Sequence, residues 1–319
     1  PHLTADILPE AIAAAREIDD TYYRAEVLST LASQLTEDNA LRELKGQTEE
    51  PPSLLPGLSP PIYAILIGID HYISNPLYKD LRGSVRDVCL VNSYLTNALN
   101  VPSENIWKLT ASSVEDEILQ DVRPAEQTPT YADIVETFNT VTTKANSGER
   151  VYVHYSGHGG QAATHYPELK GESQFDGVII PMEFDEPEGR YLRDVELVTL
   201  LKRMTDKGLI VTFILDANFS VGNAHESTDY VSQGERELDQ GDSLVAPQTE
   251  LEDNWRDLTG SLVKNGLSSS QDCIFITASR PTEQAHEYAL DGKEHYGALT
   301  YWLIDTLAND SSPSLSYQS

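Results

Sequence analysis

Lys207-Gly208-Leu-Ile-Val-Thr-Phe-Ile-Leu215-Asp216-Ala-Asn218-Phe-Ser-Val-Gly222 is the stretch on which the reading of the whole chain turns. Leu209 to Leu215 is an unbroken apolar and β-branched run, the pattern of a strand covered on both faces, and it gives way to a polar loop at Asp216. Loops that leave the carboxyl ends of such strands carry the chemistry of α/β proteins. Upstream, Arg150-Val-Tyr-Val-His-Tyr-Ser156 has the same shape and runs into Gly157-His158-Gly159-Gly160. As parallel neighbours, the two strands bring His158 and residues 216–220 to one cleft, which is the arrangement of a base and a nucleophile.

Outward from these strands the pattern alternates. Ile62–Ile69 is a near-continuous apolar run of strand length, and Ser84–Leu99 carries Val85, Val88, Cys89, Tyr94 and Leu95 on one helical face. A short strand at 106–110 precedes a helix over 131–145 with Ile134, Val135 and Phe138 inward. A short strand at Val178–Pro181 then precedes a helix over 194–204 with Leu197, Leu200 and Leu201 inward. Residues 222–270 are acidic and polar with little periodicity and read as a flexible loop. A last strand over 273–278 leads to a closing helix over 298–307. Strands and helices in alternation, with two-sided apolar strands, predict an α/β fold: a mostly parallel central sheet of about six strands with helices on both faces.

The amino-terminal part differs. Leu8, Ile12, Ala15 and Ile18, then Tyr23, Val27, Leu28 and Leu31, recur at helical spacing on either side of Asp19-Asp20, so residues 1–44 read as a helical hairpin. Pro1-His-Leu-Thr-Ala-Asp6 aligns with Ser33-Gln-Leu-Thr-Glu-Asp38, which suggests a helical repeat; an ordinary pair of helices fits as well. Residues 45–60 hold four prolines and two glycines without periodicity and read as a linker. The chain begins at Pro1 without a Met and is read as a segment of a longer protein.

Composition narrows the function classes. A net charge of −29, from 51 acidic against 22 basic residues, argues against binding nucleic acid or an anionic membrane and is compatible with cationic peptide partners or divalent ions. Two cysteines, Cys89 and Cys273, make no disulfide framework and suit a reducing cytoplasm. No apolar run reaches the roughly 20 residues of a membrane span, and no signal peptide is expected. His165, His225, His286 and His295 lack metal-ligand spacing and read as solvated loop residues.

Five short motifs in fixed order carry a resemblance. Ala64-Ile-Leu-Ile-Gly-Ile69, Leu81-Arg-Gly-Ser-Val-Arg-Asp87, Tyr155-Ser-Gly-His-Gly-Gly160, Arg190-Tyr-Leu-Arg-Asp194 and Leu215-Asp216, with Ala278-Ser-Arg-Pro281 and Gly297-Ala-Leu-Thr-Tyr301 near the end, resemble the caspase-fold cysteine peptidases (peptidase C14). Among them, metacaspases and prokaryotic orthocaspases are the nearest in pattern. The resemblance spans about residues 61–308 and implies a caspase-like sandwich over 61–310, with a p20-like part at 61–222, a flexible loop at 223–270 and a p10-like part at 271–310. It also implies that His158 is the general base, that the Gly159 region helps to hold the oxyanion, and that Asp87 and Asp216 line a pocket for a basic side chain. The plainer readings are a helix-start aspartate for Asp87 and a loop cap for Asp216.

At the nucleophile the pattern departs. The family's D-x-C-H-S-G loop falls on Asp216-Ala-Asn218-Phe219-Ser220-Val221, placing Asn218 where the cysteine belongs, Phe219 at the histidine and Val221 at the glycine. An amide is neutral and a very poor nucleophile, so the reading is a pseudoprotease that binds peptides or partners. Departures at the neighbouring positions also argue against a single inactivating laboratory change. The alternatives are an active cysteine-type endopeptidase cleaving after Arg or Lys, with Ser220 as a substitute nucleophile a further case. The resemblance further implies Ca²⁺ as a candidate ion, with Asp185, Glu186 and Glu188 as candidate ligands, although no EF-hand spacing is present and a solvated turn is the plainer reading. It implies self-processing within 222–270, where Arg236 and Arg256 would be substrates of another protease. The expected partners are a basic peptide or protein, including an active caspase-like paralogue, and the expected state is a monomer.

Overall fold

Ile62–Ile69 forms β1, and its alternate residues go to opposite faces: Ala64 and Leu66 join one apolar cluster, Ile65, Ile67 and Ile69 another. A strand apolar on both sides is stable only between two helical layers. The computed structural model describes residues 60–73, 78–112, 127–170, 174–184, 189–217, 243–265, 273–279, 285–290 and 294–309. The hairpin expected over 1–44 and the linker, apart from Pro60, lie outside the described residues.

Four further strands, β2 (Ile106–Ala111), β3 (Arg150–Ser156), β7 (Ile210–Asp216) and β8 (Cys273–Thr277), pair with β1 in the order β2-β1-β3-β7-β8, every pair parallel. Helices α1 (Ser84–Asn97) and α6 (Ala298–Asn309) cover the face carrying Leu66, with Val88, Val91, Leu95 and Ile304 buried there. The opposite face packs Val151, Val153, Tyr155, Val211, Phe213 and Leu215 against α2 (Tyr131–Lys144) and α4 (Asp194–Asp206), whose Ile134, Phe138, Leu197 and Leu200 are buried.

Among the described residues the central sheet has five strands, against about six expected. The run at Val178–Ile180 does not enter it: β5 (Phe175–Ile179) pairs antiparallel with β4 (Gly159–Ala163) and β6 (Leu192–Arg193) in a separate side sheet. A charged core holds that sheet. Lys170, in the short helix α3 (Pro167–Lys170), places Nζ 2.7 and 2.6 Å from the two Asp194 oxygens and 3.6 Å from the Trp255 ring centroid. Arg193 donates to Asp176 Oδ2 at 2.6 Å, and all four charged side chains are buried. Burying charges is tolerable here because each has a close counter-charge and further hydrogen bonds.

Two elements differ from the sequence expectation. Helix α5 (Gln248–Asn265) occupies part of the region expected to be a flexible loop, anchored by Leu251 and Trp255, one helical turn apart and both buried. Arg256, named as a cleavage site, lies within this helix and pairs with Glu252 and Asp253; Arg236 lies outside the described residues. Strands β9 (Glu287–Leu290) and β10 (Glu294–Gly297) form an antiparallel hairpin that was not anticipated, and His295, expected in a loop, lies in β10. No helix among the described residues is long and apolar enough to cross a membrane.

Candidate active site

The parallel pairing of β3 with β7 sets Ser156 opposite Asp216, so both strands release their loops at the same level. Gly157 N–H donates to the Asp216 carbonyl at 3.4 Å and joins the two loops directly. The His158 loop rests on two buried tyrosines. His158 N–H donates to Tyr72 Oη at 2.7 Å, and Tyr155 Oη donates to the His158 carbonyl at 2.6 Å. A side chain at Gly157 would meet both hydroxyls, at 2.9 Å each, so only glycine fits. Tyr72 and Tyr78 flank the imidazole at centroid distances of 4.9 and 5.2 Å.

The His158 ring has a defined tautomer. Its Nε2 lies 2.7 Å from the Lys79 carbonyl, which can only accept, so Nε2 carries a proton, and in a neutral ring the lone pair would stand on Nδ1. An imidazole oriented in this way suits a general base. Gly159, which the resemblance places at the oxyanion, opens β4. Asn218, Phe219, Ser220 and Val221 lie outside the described residues; Ala217, buried, is the last described position before them.

The two predicted pocket residues do come together, but under cover. Asp87, fully buried in α1, accepts from Gly297 N–H at 3.0 Å and from Ser156 Oγ at 2.6 Å. Asp216, 6% exposed at the end of β7, accepts from both N–H and Oγ1–H of Thr300, each at 2.8 Å and each at Oδ2. A Cβ on Gly297 would lie 2.6 Å from Asp216 Cγ and 2.7 Å from Asp87 Oδ2, so the carboxylates converge on this glycine within about 5 Å of each other. The Gly297 backbone, where β10 runs directly into α6, lies against both carboxylates and contributes to their burial. Burial first, and then the neighbouring Asp216, push the Asp87 carboxyl well above its ordinary range. Burial also raises Asp216, and the two Thr300 donors counter it.

Two more carboxylates stand beside the pair. Asp70, in the loop after β1, accepts from Ser84 and Val85 N–H at 2.8 and 3.3 Å and caps α1 from outside the helix; burial raises it to about 7. Glu287 of β9 accepts from Arg82 and Gly83 N–H at 2.8 and 2.6 Å. Sequence reading missed Asp70, Glu287 and the Lys79 carbonyl, and it quoted Thr300 within the Gly297–Tyr301 motif without giving it a role. Asp70 also left a signal, an acidic residue directly after an apolar strand.

Cys89 lies on α1 and Cys273 at the start of β8, where it stands opposite Val211 at the far end of β7 from Asp216; the two cysteines form no disulfide. His165 Nε2 lies 3.2 Å from Arg193 Nη2. Among the described residues no group of three or more His, Cys, Asp or Glu side chains is placed to hold a metal ion, and Asp185, Glu186 and Glu188 lie outside them. Two surface grooves, of about 650 and 410 Å³, lie on α2 beside Leu244 and between α1 and β2, apart from the carboxylate pair.

A five-stranded parallel sheet between two helical layers, with a histidine loop after the third strand in chain order and paired aspartates at the same end, defines a caspase-like α/β peptidase domain. The chain belongs to the metacaspase, peptidase C14 domain family, whose model matches residues 63–225. It is similar to Metacaspase-1A of Aspergillus oryzae, 28% identical over 173 residues, which is 54% of this chain and 37% of that protein. Metacaspase-1 of Saccharomyces cerevisiae is 24% identical over 283 residues, 80% of this chain and 61% of that one. The chain thus spans between about a third and three-fifths of the length of these curated relatives. A solved structure from Geobacter sulfurreducens aligns with a TM-score of 0.47 at 16% identity, covering 78% of this chain and 83% of that one, too distant to carry an argument.

Proposed function

We propose that this domain is a peptidase C14 module that recognises a basic side chain but has lost cysteine endopeptidase chemistry, and so works by binding a peptide or protein partner. The observation that supports it most is the convergence of Asp87 and Asp216 at Gly297, with all side-chain hydrogen bonds of Asp216 among the described residues falling on Oδ2. A guanidinium matches paired carboxylates in charge and in fork geometry. Asn218 at the nucleophile position supplies no thiolate for His158 to activate. Ca²⁺ has no ligand set among the described residues, and no step is assigned to it.

The test is hydrolysis of fluorogenic peptides ending in Arg, Lys or Asp, with and without millimolar Ca²⁺, by the native chain and by the Asn218→Cys, Phe219→His double variant. A silent native chain and a variant that cuts after Arg or Lys are the expected results. Cleavage by the native chain would instead favour an active endopeptidase, and Ser220→Ala would then identify its nucleophile.

A further inference from the structure

His154 is fully buried in the middle of β3, takes no part in the site described above, and has an Nδ1 with no hydrogen-bond partner. It lies on the same face of β3 as Ser156, toward α1 and α6. Its Nε2 is 3.1 Å from Thr300 Oγ1, and Thr300 Oγ1 is 2.8 Å from Asp216 Oδ2. Two tautomers of the ring are open to this chain of contacts. With the proton on Nδ1, a buried N–H would lack any acceptor, and Thr300 would be drawn to donate to the histidine instead of to Asp216. With the proton on Nε2, only a lone pair is unsatisfied and the hydroxyl is free to donate to the carboxylate. Leaving a buried donor unmade is the more costly fault. A doubly protonated ring is excluded, since burial holds the imidazole down at about 3.

We propose that His154 is a positioning residue: as an Nε2–H donor to Thr300 it commits the single Thr300 hydroxyl proton to Asp216 Oδ2, making Asp216 the charged member of the pair that meets a basic side chain. Asp87 then holds the proton the two carboxylates share while no cation is bound, and that proton leaves when a cation arrives. Among the described residues the groups facing the pair are Asp70 from the loop after β1, Glu287 from β9, Ser156 from β3 and Thr300 from α6; Arg86, beside Asp87 on α1, interacts with Tyr296 of β10. The two further carboxylates strengthen the need for one shared proton in the empty site.

This proposal rests on the basic-side-chain reading above, and its test separates the two. Benzamidine binding to the full chain is measured by calorimetry between pH 5 and 8, with a neutral benzamide control, for the native protein, His154→Leu, His154→Gln, Thr300→Val and Thr300→Ser. We expect native affinity to rise with pH. His154→Leu and Thr300→Val should bind roughly tenfold more weakly at neutral pH, with the rise displaced to higher pH. His154→Gln and Thr300→Ser, which keep a donor and a hydroxyl, should restore both. Equal affinity and pH profile in folded His154→Leu and Thr300→Val overturns the positioning role. If native protein binds no benzamidine at any pH, the basic-side-chain reading falls. Nitrogen chemical shifts of the His154 ring in ligand-free native protein then decide the rest: a proton on Nε2 supports the relay, and one on Nδ1 overturns it.

Discussion

Gly297→Ala is the sharpest probe of the carboxylate pair. The added methyl group would sit 2.6 Å from Asp216 Cγ and 2.7 Å from Asp87 Oδ2, closer than carbon and oxygen tolerate without displacement. Neither carboxylate is free to swing aside: Asp87 is held by Ser156 and by the Gly297 N–H itself, Asp216 by two donors from Thr300. Overpacking costs about 1–3 kcal/mol, and breaking a hydrogen bond to a buried carboxylate adds roughly 1–3 kcal/mol. Together these lower stability by roughly 2–6 kcal/mol, or a Tm drop of about 5–20 °C for a domain of this size. Gly160→Ala is the matched control, because a Cβ there meets nothing within 4 Å; its Tm should stay within about 2 °C of native. Thermal unfolding followed by circular dichroism, with benzamidine binding on the surviving fold, reads both effects. A Gly297→Ala protein that melts with the Gly160→Ala control and binds benzamidine like native would refute the convergence of the two aspartates.

Other expectations concern stability. Asp70 has a folded pKa of about 7 against an ordinary 3.8. The native state therefore holds a proton that the unfolded chain releases, and this contribution is complete below pH 3.8 and lost as pH rises through 7. Denaturation between pH 4 and 8 should show Asp70→Asn with a flatter decline than native; an unchanged slope would exclude Asp70 as the source. Lys170→Met leaves Asp194 and Asp176 facing each other without their lysine and should cost about 3–5 kcal/mol, whereas Lys202→Met, from an exposed pair with Asp206, should cost under about 0.5 kcal/mol in urea unfolding. Tyr72→Phe removes the acceptor of the His158 N–H and should lower stability by about 1–2 kcal/mol, with hydrogen exchange at that amide accelerating beyond the global change.

The parallel sheet and the placement of the two loops could be read from the chain because they depend on local pattern. Apolar runs such as Ile62–Ile69 and Leu209–Leu215 announce buried strands, and Gly157-His158-Gly159 announces the loop. What escaped depends on partners distant in sequence. Helix α5 hides in an acidic stretch because only Leu251 and Trp255 are buried among its described side chains, which is too sparse a stripe to stand out. The β9–β10 hairpin consists of two four-residue strands, and Glu287 gains meaning only when it reaches the start of α1. The side sheet was mistaken for central strand because Val178–Ile180 is as apolar as β3; its edges are set by Lys170 and Arg193, whose burial no local pattern signals. Lys79 acts through its carbonyl, which every residue has. Asp87 and Asp216 were given their roles, while Gly297 between them was quoted only as part of a motif, since its role is to have no side chain.

The strand order also constrains how the protein is made. Strand β7 lies between β3 and β8, yet β8 follows it only after the whole stretch from Ala217 to Cys273, α5 included, has been translated. Until Cys273–Thr277 arrives, a nascent chain exposes the open edge of β7, with Val211, Phe213 and Leu215 on one side of it. Such an edge recruits other chains as readily as its own missing strand. Slower synthesis or a chaperone that shields the nascent sheet should therefore raise soluble yield far more than any change to the finished surface, and a truncation ending before Cys273 should accumulate as aggregate.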